Sequence, residues 1–276
     1  MTKKKVAVCF SGQLRTWEKC LDNALSFFEG DNEHEYDFFY HSWDQSEPRI
    51  KYDNFQIAPV VLDRDVFDKL NGFLKPKKFE ISSPLSPGGN GSPYSLNNRW
   101  VHLFYSLRKS IEQKELYEQE TGVKYDLLVK TRFDIVFRPG TKFNVLSHLN
   151  DYGFVYFSHF DRPDFENFNV NLRDIFFFGD NVTITTLAHQ SYLYSLKISR
   201  LKVFKDQFNE QDELERAIGP GVIMNRACEQ MNFKYQMFDL ELTDEVIVRE
   251  NYTGPKVMDD ESYENAKNIH FDFYEN

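Results

Sequence analysis

The chain has 276 residues, of which 41% are hydrophobic and 28% are charged, a composition typical of a globular protein with a substantial core. Its formal net charge is −10. This charge argues against broad binding to nucleic acid or to anionic membranes, because both kinds of partner select a basic surface. It does not exclude a small anionic ligand, since a local basic pocket can form on an acidic protein.

The cysteines and the amino-terminal segment indicate a compartment. Cys9, Cys20 and Cys228 show no metal-binding spacing, and their odd number does not suggest a disulfide framework. Only five consecutive apolar residues, 6–10, follow the basic start, which is too short a run for a signal peptide or a membrane anchor. We therefore expect a cytoplasmic protein without a transmembrane segment.

The first part of the chain alternates between strand and helix patterns. Residues 6–10 form an apolar run that predicts a buried strand. Apolar residues then recur at helical spacing over residues 17–28. Residues 36–42 predict a second strand, Asp63 is a candidate N-cap for a short helix, and residues 78–81 predict a third strand.

A loop and a long helix follow. Residues 82–95 contain three Pro, three Gly and five Ser, which predicts a mobile surface loop that could cover a site, although a short domain linker is an alternative. Residues 97–121 carry an apolar stripe at helical spacing, and Gly122 is a candidate C-cap.

The central stretch covers residues 125–137, YDLLVKTRFDIVF. Its apolar start predicts a buried strand that leaves the sheet at Thr131, because a buried strand does not readily hold Arg132 and Asp134 in its interior. Ligands bind outside the carboxyl ends of strands in open α/β sheets. We therefore expect both side chains in a binding site, with a surface Arg–Asp pair as the alternative.

The remaining patterns complete an α/β domain. Strands are predicted at residues 154–158, 174–179, 235–240 and 246–248, and helices at residues 181–196 and 222–231. This alternation predicts a Rossmann-type, mostly parallel sheet flanked by helices. We expect residues 1–250 to form a single domain and residues 251–276 to form a tail packed on it.

Polar residues after the first two strands are further site candidates. Gly12 allows the backbone to approach a ligand closely, and Gln13 follows it in the turn. Arg15 lies near the start of the first helix, where it can meet a phosphate. His41 is a ligand-binding candidate, or alternatively a hydrogen-bonded, half-buried histidine. Neither G-x-G-x-x-G nor G-x-x-x-x-G-K-[ST] occurs, so the dinucleotide and P-loop fingerprints do not apply.

Several of these stretches resemble one family. VAVCFSGQLRTW (residues 6–17), FFYHSWD (38–44) and YDLLVKTRFDIVF resemble the motifs of nucleotide-sugar-dependent glycosyltransferases with the GT-A fold. The resemblance is closest to a group found in surface-polysaccharide loci and in large viruses and phages. DIFFFGD (174–180) and GPGVIMNR (219–226) also occur where that group has a strand and a helix.

The resemblance implies a nucleoside-diphosphate sugar bound over the first strand–helix turn, and a divalent cation, Mn²⁺ or Mg²⁺, bound through an Asp-x-Asp-like motif. Asp134 occupies the metal-binding position, but Arg132 stands where the motif has its first Asp. A single carboxylate is a poor site for either metal unless the diphosphate supplies further oxygens. Alternatively, Arg132 neutralises the diphosphate directly.

The implied reaction is attack of a glycan hydroxyl on the anomeric carbon, with a nucleoside diphosphate leaving. An inverting enzyme needs a carboxylate base. Asp174 and Asp180 flank one predicted strand and are both candidates, Asp174 being the preferred one and Glu213 a weaker one. A capping or salt-bridged carboxylate is the alternative reading of Asp174.

Two other functions stay open. A non-catalytic nucleotide-sugar or glycan-binding protein with a degenerate site would explain Arg132 in the metal motif. A nucleotidyltransferase would also use carboxylates and a metal on an α/β sheet, but this chain lacks its paired carboxylates and glycine-rich phosphate loop.

Overall fold

The computed structural model describes residues 3–29, 34–45, 60–84, 96–143, 152–158, 174–200, 219–238, 245–247, 260–261 and 264–265. In chain order its main elements are β1 (Lys5–Gly12), α1 (Trp17–Glu29), β2 (Glu35–Trp43), α2 (Arg64–Leu74), β3 (Lys78–Ser82), α3 (Leu96–Thr121), β4 (Leu127–Thr131), β5 (Ile135–Phe137), β6 (Phe154–Ser158), β7 (Phe177–Asp180), α4 (Asn181–Arg200), α5 (Pro220–Met231), β8 (Lys234–Phe238) and β9 (Glu245–Ile247).

Seven of the described strands form one mixed sheet in the order β3-β2-β1-β4-β7-β6-β8. Strands β1, β2, β3 and β4 pair in parallel. Strand β7 is antiparallel to both of its neighbours, so β6 and β8 run in the same direction as β4. The predicted α/β class and mostly parallel sheet are therefore confirmed, with β7 as the exception. Strands β5 and β9 form a separate antiparallel pair.

Both faces of the sheet are covered by helices. Val6, Val8 and Phe10 of β1 pack into a core with α1 and α2, whereas Ala7 and Cys9 face α3, α4 and α5. Because neighbouring residues of a strand point to opposite faces, a strand covered on both sides is apolar at every position. This double covering explains the continuous apolar run of β1.

About half of the 27 phenylalanines of the chain lie in the core. Phe27 of α1 stacks on Phe137 of β5, with ring centroids 3.7 Å apart and an interplanar angle of 6°. Phe143 and Phe176 pack edge-on against the same group. Aromatic side chains contribute large buried areas, and this cluster fixes α1 against the segments that follow β4 and precede β7.

Most predicted elements are confirmed, including the end of β4 at Thr131. Strand β7 begins at Phe177 rather than at residue 174, and α4 extends to Arg200 rather than ending at residue 196. Asp63 occupies the N-cap position of α2, but its side chain makes no capping hydrogen bond.

Residues 85–95, which make up most of the predicted loop, lie outside the described residues, as does nearly all of the predicted tail. The weaker candidate base, Glu213, also lies outside them.

Candidate active site at the carboxyl edge of the sheet

The sheet has a topological switch point between β1 and β4. From β1 the chain continues to β2 and β3 on one side, and it later returns to β4 on the other side. Phe10 pairs with Thr131, so β4 ends opposite Phe10 and β1 continues two residues further, to Gly12. Such a switch point opens a crevice outside the carboxyl ends of the strands, where open α/β sheets bind ligands.

Four side chains meet at this crevice, and we call them the arginine cluster: Gln13, Arg15, Arg132 and Asp134. Arg132 donates from Nε to Asp134 Oδ1 at 2.7 Å and from Nη2 to Asp134 Oδ2 at 2.8 Å. Arg15 Nη1 lies 3.7 Å from Asp134 Oδ2, and Arg15 Nε donates to Gln13 Oε1 at 3.2 Å. The turn after β1 and the link after β4 are thereby joined.

Burial divides the arginine cluster into two layers. The Asp134 side chain is 2% exposed, whereas those of Arg15 and Arg132 are 21% and 20% exposed. The carboxylate therefore lies beneath the two guanidinium groups, which border solvent. Arginine in this arrangement can bind an anion while the carboxylate holds its orientation.

A second polar group lies beside the arginine cluster. Gly12 adopts φ +117°, which favours glycine, and its N–H donates to Ser106 Oγ at 2.8 Å. The same hydroxyl lies 2.8 Å from His41 Nδ1. Ser106 on α3 thus connects the ends of β1 and β2. It carries no signal in the sequence, because a serine inside a helix pattern looks like any other polar residue.

His41 is fully buried in this group. Its ring makes edge contacts with Trp43 and Tyr105. Burial and, to a lesser extent, the charge of Lys109 lower the pKa of His41 from 6.5 to about 3, so the imidazole is neutral at physiological pH. The hydrogen-bonded, buried alternative fits this geometry, and the expected ligand-binding role of His41 stays a prediction.

The two candidate bases lie at opposite edges of the sheet. Phe177 pairs with Lys130 near the carboxyl end of β4, whereas Asp180 pairs with Leu127 at its amino end. Because β7 is antiparallel, Asp174 lies toward the crevice and Asp180 lies about 10 Å along the strand from Phe177. Asp180 accepts the N–H of Thr183 at 3.0 Å and also bonds the Thr183 hydroxyl. Asp180 therefore caps the amino terminus of α4, at the edge away from the crevice; this position does not favour a catalytic base, and the expected role of Asp180 stays a prediction.

Several buried polar atoms at the carboxyl edge have no hydrogen-bond partner among the described residues. These are His41 Nε2, Asp44 Oδ1, Thr131 Oγ1 and Asp174 Oδ2. A buried polar atom without a partner costs about 1–3 kcal/mol, and such atoms often mark places where a water or a ligand belongs. Four of the nine such atoms among the described residues lie at this edge, which is compatible with a binding site there.

Lys130 is a buried charge that the sequence reading missed. It is 2% exposed near the end of β4, and its Nζ donates to the carbonyl oxygen of Ile175 at 3.1 Å. A lysine inside an apolar strand pattern is expected at a boundary. Here it links β4 to the segment that carries Asp174.

Asp134 does not fit a divalent cation as it is arranged. Both of its oxygens accept guanidinium N–H groups, while Mg²⁺ and Mn²⁺ need several free oxygen ligands. Among the described residues, no group of three or more His, Cys, Asp or Glu side chains is arranged to hold a metal.

Comparisons with known proteins leave the family open. No protein-family model matches the chain, and no curated protein matches its sequence significantly. Of the helices in the described ranges, none combines the length and the apolar character needed to span a bilayer.

Proposed function

We propose that the protein is a glycosyltransferase of the GT-A type, which moves a sugar from a nucleoside-diphosphate sugar to a hydroxyl of a glycan acceptor. One observation carries the proposal: Arg15 and Arg132 converge outside the carboxyl ends of β1 and β4, at the switch point of the sheet. Paired guanidinium groups suit a diphosphate, because their N–H donors match phosphate oxygens in charge and geometry.

The reaction assigns a role to each group. The acceptor oxygen forms a bond to the anomeric carbon, and the bond from that carbon to the diphosphate oxygen breaks. Arg15 and Arg132 stabilise the negative charge that develops on the leaving diphosphate. Asp174 takes the proton of the acceptor hydroxyl, and its buried Oδ2 has no partner among the described residues.

The donor test is a screen of nucleoside-diphosphate sugars by thermal shift, followed by a coupled assay for released nucleoside diphosphate. We expect at least one sugar nucleotide to raise the melting temperature and to be slowly hydrolysed or transferred. Stabilisation without any release would instead support the non-catalytic binding protein. Release of pyrophosphate from a nucleoside triphosphate and a sugar phosphate would support the nucleotidyltransferase.

A matched pair of variants tests the base. Asp174→Asn and Asp180→Asn make the same chemical change at the two ends of one segment, and asparagine retains the capping ability that α4 needs. We expect Asp174→Asn to lower kcat about 100-fold or more, as for loss of a general base, and Asp180→Asn to leave it unchanged. Equal losses in both variants would remove Asp174 from the proposed mechanism.

A further inference from the structure

We propose that Asp134 is an anchor that orients Arg15 and Arg132, and that these two arginines bind the diphosphate in place of a divalent cation. This inference rests on the proposed function for the identity of the ligand, but its metal independence is a separate claim. In the family pattern a carboxylate at this position binds the metal, so the proposal reverses the role that the sequence implies for Asp134.

The first argument is the coordination of the carboxylate. Arg132 contacts Oδ1 at 2.7 Å and Oδ2 at 2.8 Å, and Arg15 lies 3.7 Å from Oδ2. A Mg²⁺ ion bonded to either oxygen at about 2.1 Å would lie next to two guanidinium groups and be repelled by both. Each oxygen keeps a second lone pair, but this repulsion makes metal binding unfavourable while Arg132 holds both oxygens of Asp134.

The second argument is the balance of charge. Among Arg15, Arg132 and Asp134 themselves, two guanidinium groups accompany one carboxylate, and arginine stays protonated at every working pH. The turn that carries Arg15 leads into the amino terminus of α1, where free backbone N–H groups also favour an anion. The guanidinium groups are about one-fifth exposed and the carboxylate is buried, so of these three side chains the two arginines border the crevice.

The test measures binding of inorganic pyrophosphate and of four nucleoside diphosphates by calorimetry, in EDTA and in Mn²⁺. We expect the affinities in the two buffers to agree within about threefold. Mn²⁺ alone, followed by electron paramagnetic resonance, should stay in its free form in the presence of the protein. This comparison uses the unaltered chain, so it holds even if a variant fails to fold.

Variants then test whether the two arginines bind the diphosphate. Arg132→Ala and Arg15→Ala should each weaken pyrophosphate binding about tenfold or more, equivalent to about 1.4 kcal/mol. Arg132→Lys should bind pyrophosphate as weakly as Arg132→Ala does, because lysine cannot form the bidentate hydrogen bonds of arginine. Arg226→Ala is the matched control, since its side chain is 61% exposed on α5 and pairs with Glu229, and it should bind as the unaltered chain does.

The outcomes distinguish the two claims. Binding that is more than tenfold tighter in Mn²⁺, and that Asp134→Asn makes metal-independent, would overturn the anchor role and leave the transferase proposal intact. Metal-free binding without turnover of any sugar nucleotide would support the anchor role and contradict the transferase. Absence of binding for all five probes in both buffers would overturn both.

Discussion

At the scale of single residues, His41 shows how the fold sets the chemistry of a side chain. Its ring is enclosed by Trp43 and Tyr105 and bonded to Ser106. Burial, assisted by Lys109, lowers its pKa from 6.5 to about 3. The neutral ring therefore acts as a support for the turn at Gly12, and protonation would place an unpaired charge inside the protein.

This shift predicts a dependence of stability on pH. As the pH falls below 6.5 the unfolded chain binds a proton at His41, while the folded chain does not until about pH 3. The contribution of the neutral His41 side chain to the free energy of unfolding is thus complete above pH 6.5. It declines as the pH falls toward 3, by up to about 1.4 kcal/mol per pH unit. Urea unfolding between pH 7.5 and 4.5 should show a steeper loss for the unaltered chain than for His41→Gln. Equal slopes would contradict the buried neutral histidine.

At the scale of elements, two glycines should respond in opposite ways to the same substitution. A Cβ on Gly179 in β7 would lie 2.6 Å from the carbonyl oxygen of Phe154 and 3.0 Å from Ile184 Cδ1. Gly179→Ala should therefore reduce the free energy of unfolding by about 1–3 kcal/mol. Gly72 is exposed in α2 and meets nothing within 4 Å. Gly72→Ala should raise the free energy of unfolding by about 0.5–1 kcal/mol.

The measurement for this pair is equilibrium urea unfolding at pH 7.5, with an unchanged denaturant slope as the check on two-state behaviour. A stabilising Gly179→Ala would mean that β6 and β7 are further apart than described. A destabilising Gly72→Ala would mean that α2 does not extend through that position.

At the scale of the whole molecule, one aromatic cluster connects segments distant in the chain. Phe27 of α1 stacks on Phe137 of β5 and meets Phe176, ahead of β7, edge-on. Since these contacts span α1, the link after β4 and the approach to β7, we expect the described sheet and its helices to unfold together.

Phe27→Ala tests that expectation. Phe27 is 2% exposed, so truncation should reduce the free energy of unfolding by about 3–5 kcal/mol. Transitions followed by circular dichroism and by tryptophan fluorescence should stay coincident. Tyr152→Ala is the control, because Tyr152 is 72% exposed, and its effect should stay within about 0.5 kcal/mol. Separate transitions for the two probes would show that the segments are not coupled.

Much of the fold is predictable because its signals are local. Residues 6–10 of β1 are apolar on both faces of the strand because helices cover both faces of the sheet. The helix at residues 97–121 is predictable from the apolar stripe at helical spacing within it. The end of β4 at Thr131 is predictable for a similar reason, since Arg132 and Asp134 interrupt an apolar run. The direction of β7 is not predictable from the sequence, because an apolar run such as residues 175–178 fits a buried strand equally well whether it is parallel or antiparallel to its neighbours.

The sequence by itself determined the α/β class, the end of β4, and the grouping of Arg15, Arg132 and Asp134 as polar residues near the ends of strands, since these depend on residues close together in the chain. Only the tertiary structure decided that both oxygens of Asp134 are held by Arg132, that Asp180 lies at the opposite edge from the crevice, and that Ser106 supports Gly12 from 94 residues away. These outcomes depend on strand direction and on long-range packing, which the order of residues along one segment does not encode.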